Sequence, residues 1–224
     1  MTFTSALIQY APDLFHGLLI TLELTFISAI LGFIIGVPLV MAILYGKGIV
    51  RLIANTYVTL VRGTPLLVQL FFIYYGMPGI GINPTPIMAA LIGFVFNSAA
   101  YQAEYMKGGF LSITTEQMEA AYSIGMTKWQ SIILVIFPQA FRFSIPSLSN
   151  EMIYLIKYTS IAYMVQVPEL FAQAKFFASD TFFYLRIFLV IGLIYLILVF
   201  FVTKLTAMLE KKLLVPGFDF SHIK

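Results

Sequence analysis

Two trios of polar residues recur at one spacing in otherwise lipid-soluble sequence: Asn97, Tyr101 and Glu104, then Asn150, Tyr154 and Lys157. Steps of four and three residues put each trio on one face of a helix. A lysine at the centre of a membrane helix costs about 2.5–3.5 kcal/mol on insertion scales, so such groups mark a pathway or a paired contact. Upstream, Arg62, Gly63, Thr64 and Pro65 read as a helix break, with Gln69 one turn beyond it. Broken helices at membrane depth are tolerated where they line a cavity. Lys157 offers a cation, whereas Gln69 and Asn97 offer amides that both donate and accept. Two plainer readings stay open. Lys157 could be paired with Glu151 as packing, and Glu104, near the inner surface beside Lys107, could be a solvated helix end. Arg62 precedes the break on the inner half and reads as structural or gating. His16 and His222 lie outside the apolar runs and there is no cysteine, so no metal site is expected. No Ser–His or His–Glu constellation at workable spacing supports a membrane enzyme.

The elements that must position these groups follow from composition. Of 224 residues, 60% are hydrophobic and only 10% charged, against about 25% charged in a soluble domain. The fold class is therefore all-α integral membrane, with 1–224 forming a single transmembrane domain. A span needs about 20 apolar residues, which places five at 15–45, 53–77, 86–107, 143–165 and 186–209. The first lysine is Lys47, so no basic region precedes the first run, which reads as a retained anchor. Lys47, Arg51, Lys107, Lys128, Arg142, Lys204, Lys211, Lys212 and Lys224 then fall on one side, with only Lys175 and Arg186 on the other. The positive-inside rule puts the N-terminus outside and the C-terminus inside. A net charge of +3, with its cations at segment ends, speaks against a nucleic-acid partner. Gly32 and Gly36 in "GFIIG" predict close helix packing, and Pro38 a kink in the same helix.

One stretch breaks the apolar pattern. "EAAYSIGMTKWQSIILVIFPQA", within the segment 116–140, falls in the cytoplasm between the third and fourth spans. Trp129, Ile132, Ile133, Ile136 and Phe137 occupy one helix face, and Met118, Ala121 and Tyr122 a shorter one. The spacing predicts two short amphipathic helices, a turn at Gly125–Thr127, and an end at Pro138. Such an element packs one side on the bundle and offers the other to a partner, or else rests on lipid headgroups.

"EAA", three residues, Gly, nine residues and "VIFP" resemble the EAA loop of ABC importer permeases, with Val135 and Phe137 in place of Ile and Leu. "GLLITLELTFIS", "RGTPLLVQLFFIYYGMP", "AAYQAEYMKGGFLSI", "FPQAFRFSIPSLSNEMI" and "IKYTSIAY" are similar, in order, to the polar amino-acid branch. The resemblance covers nearly the whole chain. It implies a five-span permease subunit of an ATP-driven type I importer in a prokaryotic inner membrane. It also implies a coupling helix with Glu119, Ala120, Ala121 and Gly125 seated in an ATP-binding subunit, present in two copies. A second permease, identical or paralogous, and an extracytoplasmic solute-binding protein are implied as partners. The chain lacks a phosphate-cradling G-x-x-x-x-G-K-[ST] motif; "YGKG" at 45–48 misses two elements of it. No cofactor is therefore expected on this chain, and ATP and Mg belong to the partner.

A zwitterionic substrate would find its carboxylate partner in Lys157 and amides in Gln69 and Asn97. Its ammonium would find Glu104, Glu23 or carbonyls freed by the break. Tyr158 stands where some relatives carry an acid or a short polar residue, which weighs against a cationic side chain. The competing class is an ion-coupled secondary amino-acid carrier, for which Glu23, Glu151 and Lys157 are loose candidates and the coupling loop has no use.

Overall fold

The computed structural model describes residues 2–213; His222 and Lys224 lie outside them. Every element among the described residues is helical. Helix α1 spans Phe3–Tyr45, started by the Thr2 hydroxyl accepting from the Ser5 amide. Helix α2 (Gly48–Gly63) is followed by α3 (Leu66–Phe71), which continues through a π turn to Gly76 and a 3-10 turn to Ile80. Helix α4 (Pro86–Leu111) opens on the Thr85 side chain, with Pro86 in the first turn where its missing N–H costs nothing. A short α5 (Thr115–Ser123) precedes α6 (Lys128–Gln130), the π turn Ser131–Ile136, α7 (Phe137–Tyr158) and a 3-10 turn to Val165. Helices α8 (Leu170–Thr181) and α9 (Tyr184–Leu213) complete the order.

Four helical stretches are long and apolar enough to cross a membrane: Phe3–Tyr45, Pro86–Leu111, Lys128–Val165 and Tyr184–Leu213. The expected span 53–77 is a bent pair, Gly48–Gly63 and Leu66–Ile80, turned through 104° at the predicted break. One expectation fails. Pro138 does not end the amphipathic helix, because it falls at the start of α7 after the π turn, and the helix runs on to Tyr158. A further helix, α8, lies in what the sequence left as a connection. Glu169 starts it, its carboxylate accepting from the Phe171 and Ala172 amides at 2.8 and 2.7 Å.

Helix α1 lies along α4, and both pack on α7. The approach is close because the glycines predicted to serve it do so. A β-carbon on Gly32 would meet Ser98 and Gln102 of α4 at about 3 Å, and one on Gly36 would meet Met106 at 3.2 Å. Around this seam one buried cluster joins Val40, Val58, Met106, Phe110 and Ile136 of α1, α2, α4 and the π turn. A second joins Leu14, Phe177 and Ile187 across α1, α8 and α9. A third joins Leu24, Leu70, Phe94 and Val165, fixing α3 against α4.

Gly32→Leu should overpack the α1–α4 seam and cost about 1–3 kcal/mol. The thermal midpoint of the purified chain should fall, while Gly192→Ala, where a β-carbon meets nothing within 4 Å, should leave it unchanged.

Candidate functional site

The helix break is built from the groups that proline removes. Pro65 has no N–H, so the Val61 carbonyl loses its helical donor. The Gln69 side chain supplies one: Nε2 donates to Val61 O at 2.7 Å, to Thr64 Oγ1 at 2.9 Å and to Thr64 O at 3.1 Å. The Thr64 hydroxyl donates to Leu60 O at 2.9 Å, satisfying the preceding carbonyl. The remaining face of the Gln69 amide, Oε1, accepts from Asn97 Nδ2 at 3.2 Å and so ties the break to α4. In a hydrocarbon surrounding, backbone groups left without partners are costly, and these bonds supply the partners. Gln69 and Asn97 thus hold each other and the bent chain.

Beside the break lies a cavity of about 460 Å³ whose walls include Arg62, Asn97, Tyr101, Tyr158 and Ile161, together with the turn 63–67. Arg62 stacks on the Tyr101 ring, 5.3 Å from its centroid. Its Nη1 lies 3.4 Å from Glu104 Oε2, while Lys107 Nζ donates to the other carboxylate oxygen at 3.1 Å. Glu104 is therefore not a wall of the cavity but the shared acid of two cations, with its side chain 30% exposed.

Lys157 is not brought to this cavity. Its ammonium sits over the Tyr154 ring at 4.5 Å and opens on a separate cleft of about 320 Å³, with Ser160, Phe171, Phe188, Gly192 and Tyr195. Nor does it pair with Glu151; the ion pairs among the described residues are Arg62–Glu104 and Lys107–Glu104. Glu151 is buried on the side of α7 that packs on α4. Glu23 is exposed on the stripe of α1 that carries Leu19 and Phe26, away from the cavity. Among the described residues no three His, Asp or Glu cluster as a metal site would require.

Sequence reasoning missed Ile161, Gln102 and Glu169. Gln102 is buried on α4 and donates to Ser98 Oγ and to the Ala29 carbonyl of α1 at 2.9 and 3.0 Å. The dipeptide Pro168–Glu169 before an apolar run was the available signal for the start of α8. Ile161 had no such signal, since only the bend of α3 brings the cavity to it.

The second candidate site is the loop at the opposite end of α4. Helix α5 stops where Gly125 takes φ +84°, with the Gly125 and Met126 amides returning to Tyr122 O and Ala121 O. Thr127 and Gln130 then cap α6 reciprocally, amide to side chain in both directions. The first predicted short helix and the turn are present, whereas the second runs on through the π turn into α7, and Trp129 and Ile133 of its expected apolar face are exposed. Ala121, Ile132 and Ile136 are buried on the bundle, whereas Tyr122, Ile124, Trp129, Ile133 and Leu134 are exposed. Glu119 and Ala120 are exposed on the same loop. At the α5 start, hydrogen bonds from Thr114 and its own backbone amide hold the Glu116 carboxyl below its usual range.

A family model described as "Binding-protein-dependent transport system inner membrane component" matches residues 28–215. The chain is 39% identical over 206 residues to the L-cystine transport system permease protein TcyB of Bacillus subtilis (strain 168), covering 92% of this chain and 88% of that one. It is 37% identical over 209 residues to the probable amino-acid ABC transporter permease protein YckA of the same organism, covering 93% and 92%. A solved amino acid ABC transporter with histidines superposes with a TM-score of 0.88 at 33% identity, covering 95% of this chain and 99% of that one. The inward-facing MetNI methionine ABC transporter, at 20% identity and a TM-score of 0.79 over 96% and 100% of the two chains, shares the fold.

Gln69→Leu should leave the Val61 carbonyl and the Asn97 amide without partners. An unsatisfied buried group costs about 1–3 kcal/mol, so the thermal midpoint should drop, whereas Gln69→Asn, which is too short to reach Val61, should recover only part of it. A Gln69→Leu chain as stable as the original would contradict the capping role.

Proposed function

The chain belongs to the family of binding-protein-dependent transport system inner membrane components, and from that premise we propose how its parts divide the work. It is the membrane-spanning permease subunit of a type I ABC importer, and its substrates are amino acids. The finer reading is five spans, counting the bent pair as one, with the N-terminus outside and the C-terminus inside in a prokaryotic inner membrane. The substrate is a polar amino acid held in the cavity beside the break, and residues 1–224 act as one permease domain.

The observation that carries this reading is the contrast between helix faces. Between Leu24 and Tyr45 the exposed residues of α1 are Phe26, Ile30, Leu31, Ile34 and Pro38. From Arg142 onward the exposed residues of α7 are Arg142, Asn150, Tyr154, Lys157 and Tyr158. An apolar face suits hydrocarbon; a face with two cations and an amide does not. The α7 face therefore meets water or another protein, and the cavity opens beside it through Tyr158. Five spans do not enclose a pathway alone, so a second permease, identical or paralogous, closes over this face. Lys157 lies on the same stripe but in the neighbouring cleft, so the primary site is assigned to the cavity. Asn97 and Tyr101 line it, Gln69 supports Asn97, and Glu104 acts from behind Arg62.

The cytoplasmic loop with Glu119, Ala120, Ala121 and Gly125 seats in an ATP-binding subunit, one of two copies, which holds ATP and Mg and performs hydrolysis. This chain needs no cofactor of its own. An extracytoplasmic solute-binding protein delivers the amino acid at the other end. The exposed Tyr122, Ile124 and Trp129 give the loop an apolar contact surface of the kind a protein cleft covers.

Two outcomes test the reading. Cysteines introduced singly at the exposed Ser112, Asn83 and Ser179 should label from the cytoplasmic side at Ser112 and from outside at the other two. Reversal at any two sites contradicts the orientation. Gly125→Val has open space around it, so its cost is confined to forcing a β-branched residue to φ +84°. Such a chain should fold and co-purify poorly with the ATPase, with substrate-stimulated hydrolysis reduced; normal coupling would contradict the assignment of the loop.

A further inference from the structure

The charge of the cavity is one-sided. Among its described walls Arg62 is the one formally charged side chain, and its counter-ion Glu104 lies outside the lining. The pair is loosely made. A guanidinium has five donors suited to bidentate carboxylates, yet Arg62 meets one oxygen of Glu104 from one nitrogen at 3.4 Å, with side chains 36% and 30% exposed. Its other contact among the described residues is the face of Tyr101, which fixes the plane of the guanidinium and leaves its edges free. Glu104 is held better from behind, by Lys107 at 3.1 Å. The cluster thus has two cations for one acid.

We propose that Glu104 is a resident counter-ion which the substrate carboxylate displaces, so that Arg62 is the carboxylate anchor of the cavity. This rests on the reading of that cavity as the amino-acid site. Displacement leaves no charge stranded: Glu104 swings off Arg62 but stays neutralised by Lys107. The incoming carboxylate gains a bidentate contact that Glu104 does not make. Glu104 is then a competitor for the anchor and not the acceptor of the ammonium, and the two roles predict opposite signs.

The test uses the assembled permease–ATPase complex in lipid nanodiscs. Its thermal midpoint is titrated with each of the twenty common L-amino acids and with the corresponding α-carboxamides. At least one amino acid should stabilise the complex, and its amide should not. Glu104→Gln should lower the half-saturating concentration by about two- to five-fold, the size of a partly exposed ion pair. Lys107→Met should raise it by a similar factor, because Glu104 then leans wholly on Arg62. Arg62→Met should weaken binding by about ten- to a hundred-fold, the loss of a charge-assisted contact, and Arg62→Lys should recover part of it. Weaker or unchanged binding in Glu104→Gln overturns the proposal, as does an amide that binds like its acid. Should Glu104→Gln fail to assemble, the Lys107→Met titration decides: a raised half-saturating concentration supports the displacement, and a lowered or unchanged one overturns it. Silence of the unaltered complex towards all twenty amino acids would instead remove the cavity as the amino-acid site.

Discussion

The amide of Gln69, folded back on the carbonyls of Val61 and Thr64, is what lets a membrane chain carry a bend of 104°. In hydrocarbon every backbone polar group needs an internal partner. Pro65 removes one donor and the bend removes others, and side chains of the same turn replace them. With the bend secured, α3 packs Leu70 under Phe94, Arg62 reaches Tyr101 and Glu104, and the cavity exists between α2, α3 and α4. Without that cap the Val61 carbonyl would lack a donor, and the bend that brings Arg62, Asn97 and Tyr101 together would lose a support.

Much of this was legible in the sequence, for identifiable reasons. Pro65 after Gly63 and Thr64 announced the break, because proline's missing N–H is a property of the residue alone. Gly125 announced the loop turn, which needs φ above zero, and Gly32 and Gly36 announced a close helix contact. What failed depended on three-dimensional partners. Pro138 read as a terminator, but the π turn before it absorbs the defect and the helix continues. That Gln69 and Asn97 bond to each other was not legible either, because spacing along a chain does not reveal which side chains face each other. Lys157 shares a stripe with Asn150 and Tyr154 as predicted, yet the bend of α3 sets the cavity on the other side of Tyr158, and Lys157 falls into the cleft against α9.

The two ends of the molecule follow one logic. Helices α1 and α9 present Phe26, Ile30, Leu189 and Phe200 outward, as lipid requires. The polar stripe of α7 and the exposed apolar loop residues are both in the wrong solvent for an isolated subunit: charges where hydrocarbon would lie, and Trp129 and Ile124 where water would lie. A protein partner of the type the family implies would relieve each mismatch. The same chain links a cavity near its bent helix to the loop after α4 through α4 itself, which carries Asn97 at one site and ends at Leu111 beside the other.

The central claim is that this chain moves amino acids only when a partner hydrolyses ATP. The direct measurement is uptake of labelled amino acids into proteoliposomes containing the permease, its ATPase and its binding protein, with ATP or an imposed proton or sodium gradient as the sole energy source. Accumulation with ATP alone, abolished when ATP is replaced by a non-hydrolysable analogue, is the predicted result. Accumulation driven by an ion gradient in the absence of ATP would contradict it.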